Sequence, residues 1–279
     1  MRKLFEWIAA HPVLMWAGLA LYGVAVTLPH GVVQDWLAVQ VRPIGLAAFY
    51  RIMAGVALVA GGLASWSYAR AMAGHVARRE LVVAWVVALG LAAGSWQWLT
   101  VNNSELVHFG QYFLPGLVLI GLTGRVTESL AWIALLGGAD EGYQFWGLHG
   151  NWGVPWDFND IFIDLVGGIL GVLWGFAYLP VRRRESPRSW GVGSWLLLGL
   201  LGIGFVLWLL GLLLIFEDKS NTTYWFSLSR LAPKGFWFFD ETWGPRRIHA
   251  LTPVEGLALV LGTMAAYGWL DARYEGKRG

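Results

Sequence analysis

The stretch Asp157-Phe158-Asn159-Asp160-Ile161-Phe162-Ile163-Asp164-Leu165-Val166-Gly167-Gly168-Ile169-Leu170-Gly171-Val172-Leu173-Trp174-Gly175-Phe176-Ala177-Tyr178 decides how this chain is read. Three acids stand at its head, and after Asp164 it runs uncharged to Tyr178. A hydrocarbon core about 30 Å thick needs about 20 helical residues, which this run supplies. At about 100° per residue, Asp157, Asp160 and Asp164 fall within about 60° of arc, and Gly168, Gly171 and Gly175 continue the same side. Gly167-x-x-x-Gly171-x-x-x-Gly175 is also a small-residue stripe that lets a second helix backbone approach closely. One face of a membrane helix therefore carries carboxylates above a place for a neighbour.

The remainder of the 279 residues has the same character. AVILMFWYC make up 57% of the chain, and counting glycine in place of tyrosine raises the apolar share to about 67%, against roughly 45–50% in soluble domains. Charged residues are 14%, well under the roughly 25% of soluble proteins. The 19 tryptophans suit a water–lipid interface. Zero cysteines exclude disulfides, thiolate zinc, iron–sulfur clusters and a cysteine nucleophile. A net charge of +2, with arginines in short scattered clusters, forms no patch for nucleic acid.

Apolar runs of spanning length fall at 12–28, 44–68, 81–101, 106–122, 127–147, 160–179, 193–216 and 253–270. They predict an all-α, polytopic transmembrane bundle of about eight spans. The fifth run is the weakest, because it must include Asp140 and Glu141 to cross, and a re-entrant hairpin is its alternative. Met1-Arg2-Lys3 and the first run resemble a signal peptide but lack a small-x-small cleavage site, so the run reads as a retained helix. With the N-terminus inside, 13 Lys and Arg fall in inner segments and 6 in outer ones, which puts both termini in the cytoplasm. The chain divides into an N-terminal helical pair at 1–80, a membrane core at 81–185 and a C-terminal pair at 186–279. That last pair is joined by a long outer connection rich in aromatics: Tyr224, Trp225, Phe226, Phe236, Trp237, Phe238, Phe239 and Trp243. Its aromatics suit either a segment lying in the interface or a surface that grips a lipid or glycopeptide.

This topology gathers ionisable residues near the outer face, where each is costly unless paired or hydrated. Glu105, His108 and Tyr112 share one side of the fourth span above Pro115, which should kink the helix. Asp140, Glu141 and Gln144 lie close together on the fifth, and Asp157, Asp160 and Asp164 head the sixth. Two adjacent acids without a nearby cation cannot both be buried and ionised cheaply. Arg51, inside the second span, is the expected counter-charge for Asp160 or Asp164, with snorkelling to the interface as its alternative. Glu128 sits at the cytoplasmic end and is left out of the cluster, while His149 is a minor candidate.

Taken in order, Ser104-Glu105-Leu106-Val107-His108-Phe109-Gly110-Gln111-Tyr112-Phe113, then Asp140-Glu141-Gly142-Tyr143-Gln144, then Asp157 to Gly171, resemble the VanZ-like membrane protein family over about residues 90–180. The pattern departs from that family in having Glu105 where Lys is common, Asp164 where Asn is common, and no basic residue ahead of the Asp-rich stretch. The resemblance implies a multi-pass protein of the bacterial cytoplasmic membrane, in a family named for reduced susceptibility to glycopeptides such as teicoplanin.

Three functions are consistent with these residues. In the first, His108 is a base or ligand, Glu141 and Asp160 do acid–base work, Tyr112 and Gln144 orient, and an envelope lipid is the substrate. A divalent cation held by His108, Asp140, Glu141, Asp157, Asp160 and Asp164 is the candidate cofactor there. In the second, the protein binds or transports an amphipathic or glycopeptide molecule without chemistry. In the third, the polar cluster is an interhelical network that fixes the bundle.

Overall fold

The computed structural model describes every residue except 1, 74–77, 102, 149–155, 180–190, 218–219, 221, 224–225, 229–237, 240–246 and 277–279. The chain is an all-α bundle: α1 (Arg2–Ala10), α2 (Pro12–Thr27), α3 (His30–Val41), α4 (Leu46–Met72), α5 (Arg78–Trp98), α6 (Val107–Thr123), α7 (Val126–Tyr143), α8 (Phe158–Tyr178), α9 (Val192–Leu209) and α10 (Pro253–Gly276). Among the described residues six helical segments are long and apolar enough to cross a membrane, namely α4, α5, α6 with its leading turn, α8, α9 and most of α10. Together they make this a multi-pass membrane protein. The helices α1 and α2 meet at 92°, a bend that fits either one broken span, which would make seven, or a re-entrant turn. The fifth expected span, α7, is not among the six, since it carries Glu128, Asp140 and Glu141. Two boundaries differ from expectation: a helix, α3, fills part of the connection between α2 and α4, and α9 stops at Leu209 before a left-handed Gly211.

Of the aromatic connection between α9 and α10, Tyr224, Trp225, Phe236, Trp237 and Trp243 lie outside the described residues. Phe226 and Ser227 pair in parallel with Leu213 and Leu214, and Phe238 and Phe239 pair antiparallel to Arg247 and Ile248.

The core is built around α8, which is buried on almost every side and meets α6 more extensively than any other pair of elements meets. The glycine stripe makes this approach feasible. A Cβ at Gly167 would stand 2.8 Å from the Phe109 carbonyl oxygen, one at Gly171 would overlap the Phe113 carbonyl, and one at Gly175 would strike Ile120. On α6, Gly116 faces the backbone of Gly168 just as closely. These contacts advance in the same direction on both helices, so α6 and α8 run parallel. Gly168 against Ile133 and Asp164 against Gly137 make α7 antiparallel to both. The start of α6, the end of α7 and the start of α8 therefore lie at one end of the bundle.

At the opposite end, carboxylates from one helix close the N-terminus of another. Glu128 of α7 accepts from the N–H groups of Gly193 at 2.6 Å and Ser194 at 3.1 Å, and from the Ser194 hydroxyl at 2.7 Å, at the head of α9. Asp271 of α10 accepts from the N–H groups of Val126 and Thr127, both at 2.8 Å, at the head of α7. Unpaired amides at a helix start favour an anion. The head of α10 is closed locally by a capping box, in which Glu255 accepts from the Thr252 N–H at 2.8 Å and Thr252 Oγ1 from the Glu255 N–H at 3.3 Å. The lipid-facing elements contrast with this core: α4 leaves Ile52, Val56, Val59 and Leu63 exposed, and α9 leaves Leu200, Ile203 and Phe205 so.

Candidate functional site

His108 is the centre of the polar end. It lies in the first turn of α6 and is 5% exposed. Its Nδ1–H donates to Asp164 Oδ1 at 2.8 Å, and its Nε2 faces Asp160 Oδ2 at 3.9 Å. Asp164 is wholly buried and Asp160 half-buried, so the imidazole is held from within and offers its second nitrogen toward the bundle end. The carboxylate fixes which ring nitrogen carries hydrogen, as an orienting acid does in a catalytic dyad.

The structure corrects the expectation for Arg51. It is exposed on α4 and its Nε donates to the Ala47 carbonyl at 3.2 Å, one turn back on its own helix. The ion-pair contacts of Asp160 and Asp164 are with His108, which takes the place expected for Arg51. A guanidinium on the lipid-facing surface reaches the interface more cheaply than it enters a packed core.

The five acids named as cation ligands and His108 are not gathered into one ligand shell. Among the described residues no group of three or more His, Asp or Glu side chains is placed to hold a metal ion. Asp157 is the N-cap of α8, accepting from the N–H groups of Asn159 at 2.8 Å and Asp160 at 3.4 Å. Burial and the neighbouring Asp160 carboxylate push its carboxyl up to about 7, against the lowering effect of those N–H groups and of His108. Glu105 turns back to accept from the Val101 N–H at 2.8 Å. The ring nitrogens of His108 already face two carboxylates.

On α7, Glu141 is buried and accepts from Gln144 Nε2 at 2.8 Å. Gln144 opens a π-helical turn, Gln144–Leu148, a departure from regular helix found often at functional sites. Asp140 is 1% exposed, and among the described residues neither of its oxygens, nor Asp164 Oδ2, has a hydrogen-bond partner. Tyr112 is buried one turn beyond His108, with its phenol beside the Asp164 carboxylate, and α6 continues without a break through Pro115. His149 lies outside the described residues.

Sequence reading missed Asn159. It is buried, donates to the carbonyls of Leu99 at 2.9 Å and His249 at 2.8 Å, and accepts from the Leu251 N–H at 2.8 Å, tying α8 to the end of α5 and the approach to α10. An asparagine between two aspartates at a helix head was the available signal, but its partners are 60 to 92 residues away. Tyr22 was also missed; its hydroxyl donates to the Gln111 carbonyl at 2.7 Å and brings α2 to the site. No protein-family model, no curated protein and no solved structure matches the chain.

Proposed function

We propose that this chain is a VanZ-like protein of the bacterial cytoplasmic membrane, whose acid–imidazole centre at the outer end performs proton transfer on an amphipathic envelope lipid. The observation that carries the reading is the buried His108–Asp164 contact at 2.8 Å, which presents Nε2 toward the half-buried Asp160. A general base needs a fixed tautomer and a nitrogen open to the reacting group. In this reading His108 takes the proton, Asp164 orients it, Asp160 and Glu141 exchange protons with the substrate, and Gln144 and Tyr112 orient. Eight crossings follow when α7 and the bent α1–α2 pair are added to the six spanning segments, with both termini cytoplasmic.

A purely structural network is the second reading, supported by the use of Asp157 and Asn159 as a cap and a tie. Asp160→Asn separates the two, since it removes charge but keeps shape. Under the proposal the variant inserts at normal levels and loses its effect on teicoplanin susceptibility and on envelope lipids measured by mass spectrometry. Full activity, or a loss of protein equal to that of Gly171→Leu, overturns the proposal in favour of the network.

A further inference from the structure

Proton transfer at His108 makes no use of a groove between α2, α6 and α7, and the groove begins with Pro115. Proline has no N–H, so the Gln111 carbonyl one turn back on α6 lacks its helical donor. The Tyr22 hydroxyl of α2 takes that place at 2.7 Å. Trp16 meets Trp132 with ring centroids 4.8 Å apart, and further along Gly23 faces Leu136, so α2 runs parallel to α7. Pinned to α6 through Tyr22 and set beside α7, α2 closes a groove of about 260 Å³.

The dimensions of the groove are those of a lipid tail. Ala20, Val24 and Leu28 stand at four-residue spacing along its α2 wall and all three are exposed, so it opens sideways toward lipid along its length. From Ala20 to Leu28 that wall measures about 12 Å at a helical rise of about 1.5 Å per residue. One leaflet contributes about 15 Å, half of the hydrocarbon core. The depth agrees as well, because Pro115 lies midway along α6 (Val107–Thr123) and the groove runs from there toward the His108 end. Its lining is graded in the same direction: Ala20 and Pro115 at mid-membrane, then Thr27 and Gln111 nearer that end. Water gains little in such an apolar slot, whereas hydrocarbon already surrounds it.

We propose that this groove holds one acyl chain of a lipid from the leaflet at the His108 end, with the tail tip at Pro115 and the ester linkage beside Thr27 and Gln111. A volume of about 260 Å³ along that wall admits one chain and not two side by side. The hydroxyl of Thr27 and the amide of Gln111 supply donors for the ester oxygens. A lipid held this way leaves its headgroup at the bundle end that carries His108. The inference rests on the lipid-handling reading and adds to it where the tail of the lipid is gripped.

The test uses the full chain reconstituted in vesicles of phosphatidylglycerol and phosphatidylethanolamine, with a phosphatidylglycerol bearing a mid-chain diazirine as probe. Light attaches the acyl chain to what it touches, and peptide mass spectrometry locates the adducts. Adducts are expected on residues 20–28 and on Leu136 and Ala139, saturating at one per chain and about tenfold denser than on the exposed face of α4. A Cβ at Gly23 meets only Leu136 Cδ2, at 3.7 Å, so the backbone there has room for a side chain. Gly23→Leu should therefore fold, fill the groove and lower its adducts about tenfold. Ala139→Phe, from the exposed rim on α7, should do the same and replaces Gly23→Leu if that variant elutes as aggregate. Gly55→Leu, on α4 with nothing near its would-be Cβ, should leave the groove adducts unchanged. Adducts spread evenly over α2, α4 and α9, or groove adducts undiminished in the folded groove variants, overturn the proposal. If Asp160→Asn abolishes the envelope effect while the groove stays unlabelled, the chain inference falls and the proton-transfer reading stands. If the groove labels as expected while Asp160→Asn is fully active, the chain site stands and the proton-transfer reading falls.

Discussion

His108 and Asp164 are joined by a 2.8 Å contact between Nδ1 and Oδ1, made between two parallel helices and shielded from solvent on both sides. Removing one member of such a pair leaves the other buried without its partner, which typically costs about 3–5 kcal/mol. His108→Gln should therefore destabilise the protein by that order, and adding Asp164→Asn to it should restore part of the loss. A double-mutant cycle on thermal unfolding, followed by tryptophan fluorescence, measures the coupling. Additive losses would mean that the contact contributes nothing to stability.

Close approach of α6 and α8 depends on the absence of a Cβ at Gly171, which has the Phe113 carbonyl in that position. Gly171→Ala should push two backbones apart and reduce folded protein severely, by about 3 kcal/mol or more, because neither backbone can rotate away as a side chain does. Gly262→Ala, on α10 with nothing near its would-be Cβ, should leave the yield unchanged or raise it. Size-exclusion yield of the two variants makes the comparison.

Glu128 closes the head of α9 from a different helix. Glu128→Ala should free the amides of Gly193 and Ser194 and destabilise the docking of α9 by about 1–3 kcal/mol. Hydrogen exchange should accelerate at those amides while protection persists in α8. Exchange unchanged at Gly193 would show that the cap contributes little.

Asp157 is raised to about 7 by burial and by Asp160, so the folded chain keeps a proton there that the unfolded chain releases near pH 4. Between those values the folded state binds more protons, and stability falls as pH rises. Asp157→Asn retains an N-cap oxygen without this titration. Between pH 5 and pH 8 its Tm should drop less than that of the wild type. An equal drop in both proteins would show that Asp157 is not the group responsible.

Orientation of the bundle is tested by reporter fusions. A reporter after Arg79 should read cytoplasmic and one beside Trp156 external, in keeping with the excess of inner Lys and Arg. A cytoplasmic signal beside Trp156 would place the His108 centre on the wrong side for envelope chemistry.

Apolar run length and the glycine spacing at 167, 171 and 175 are enough to read a multi-pass helical bundle with α8 packed tightly on a partner. These are properties of one helix and its 3.6-residue repeat, so they are written locally. The Glu141–Gln144 pair and the Thr252–Glu255 capping box are legible or recoverable for the same reason, with partners three residues apart. What each carboxylate does is not local. Asp157 and Asp160 stand three residues apart at the head of one helix, yet the first caps its own backbone and the second faces an imidazole from α6. Glu128 is remote from the site along the sequence, and only packing of α9 on α7 makes it a cap. Arg51 and Asp164 match by depth alone, but depth does not say which way a side chain points around the helix axis relative to its neighbours. That angle is decided by which faces pack, and it gives Asp164 to His108 and leaves Arg51 at the lipid surface.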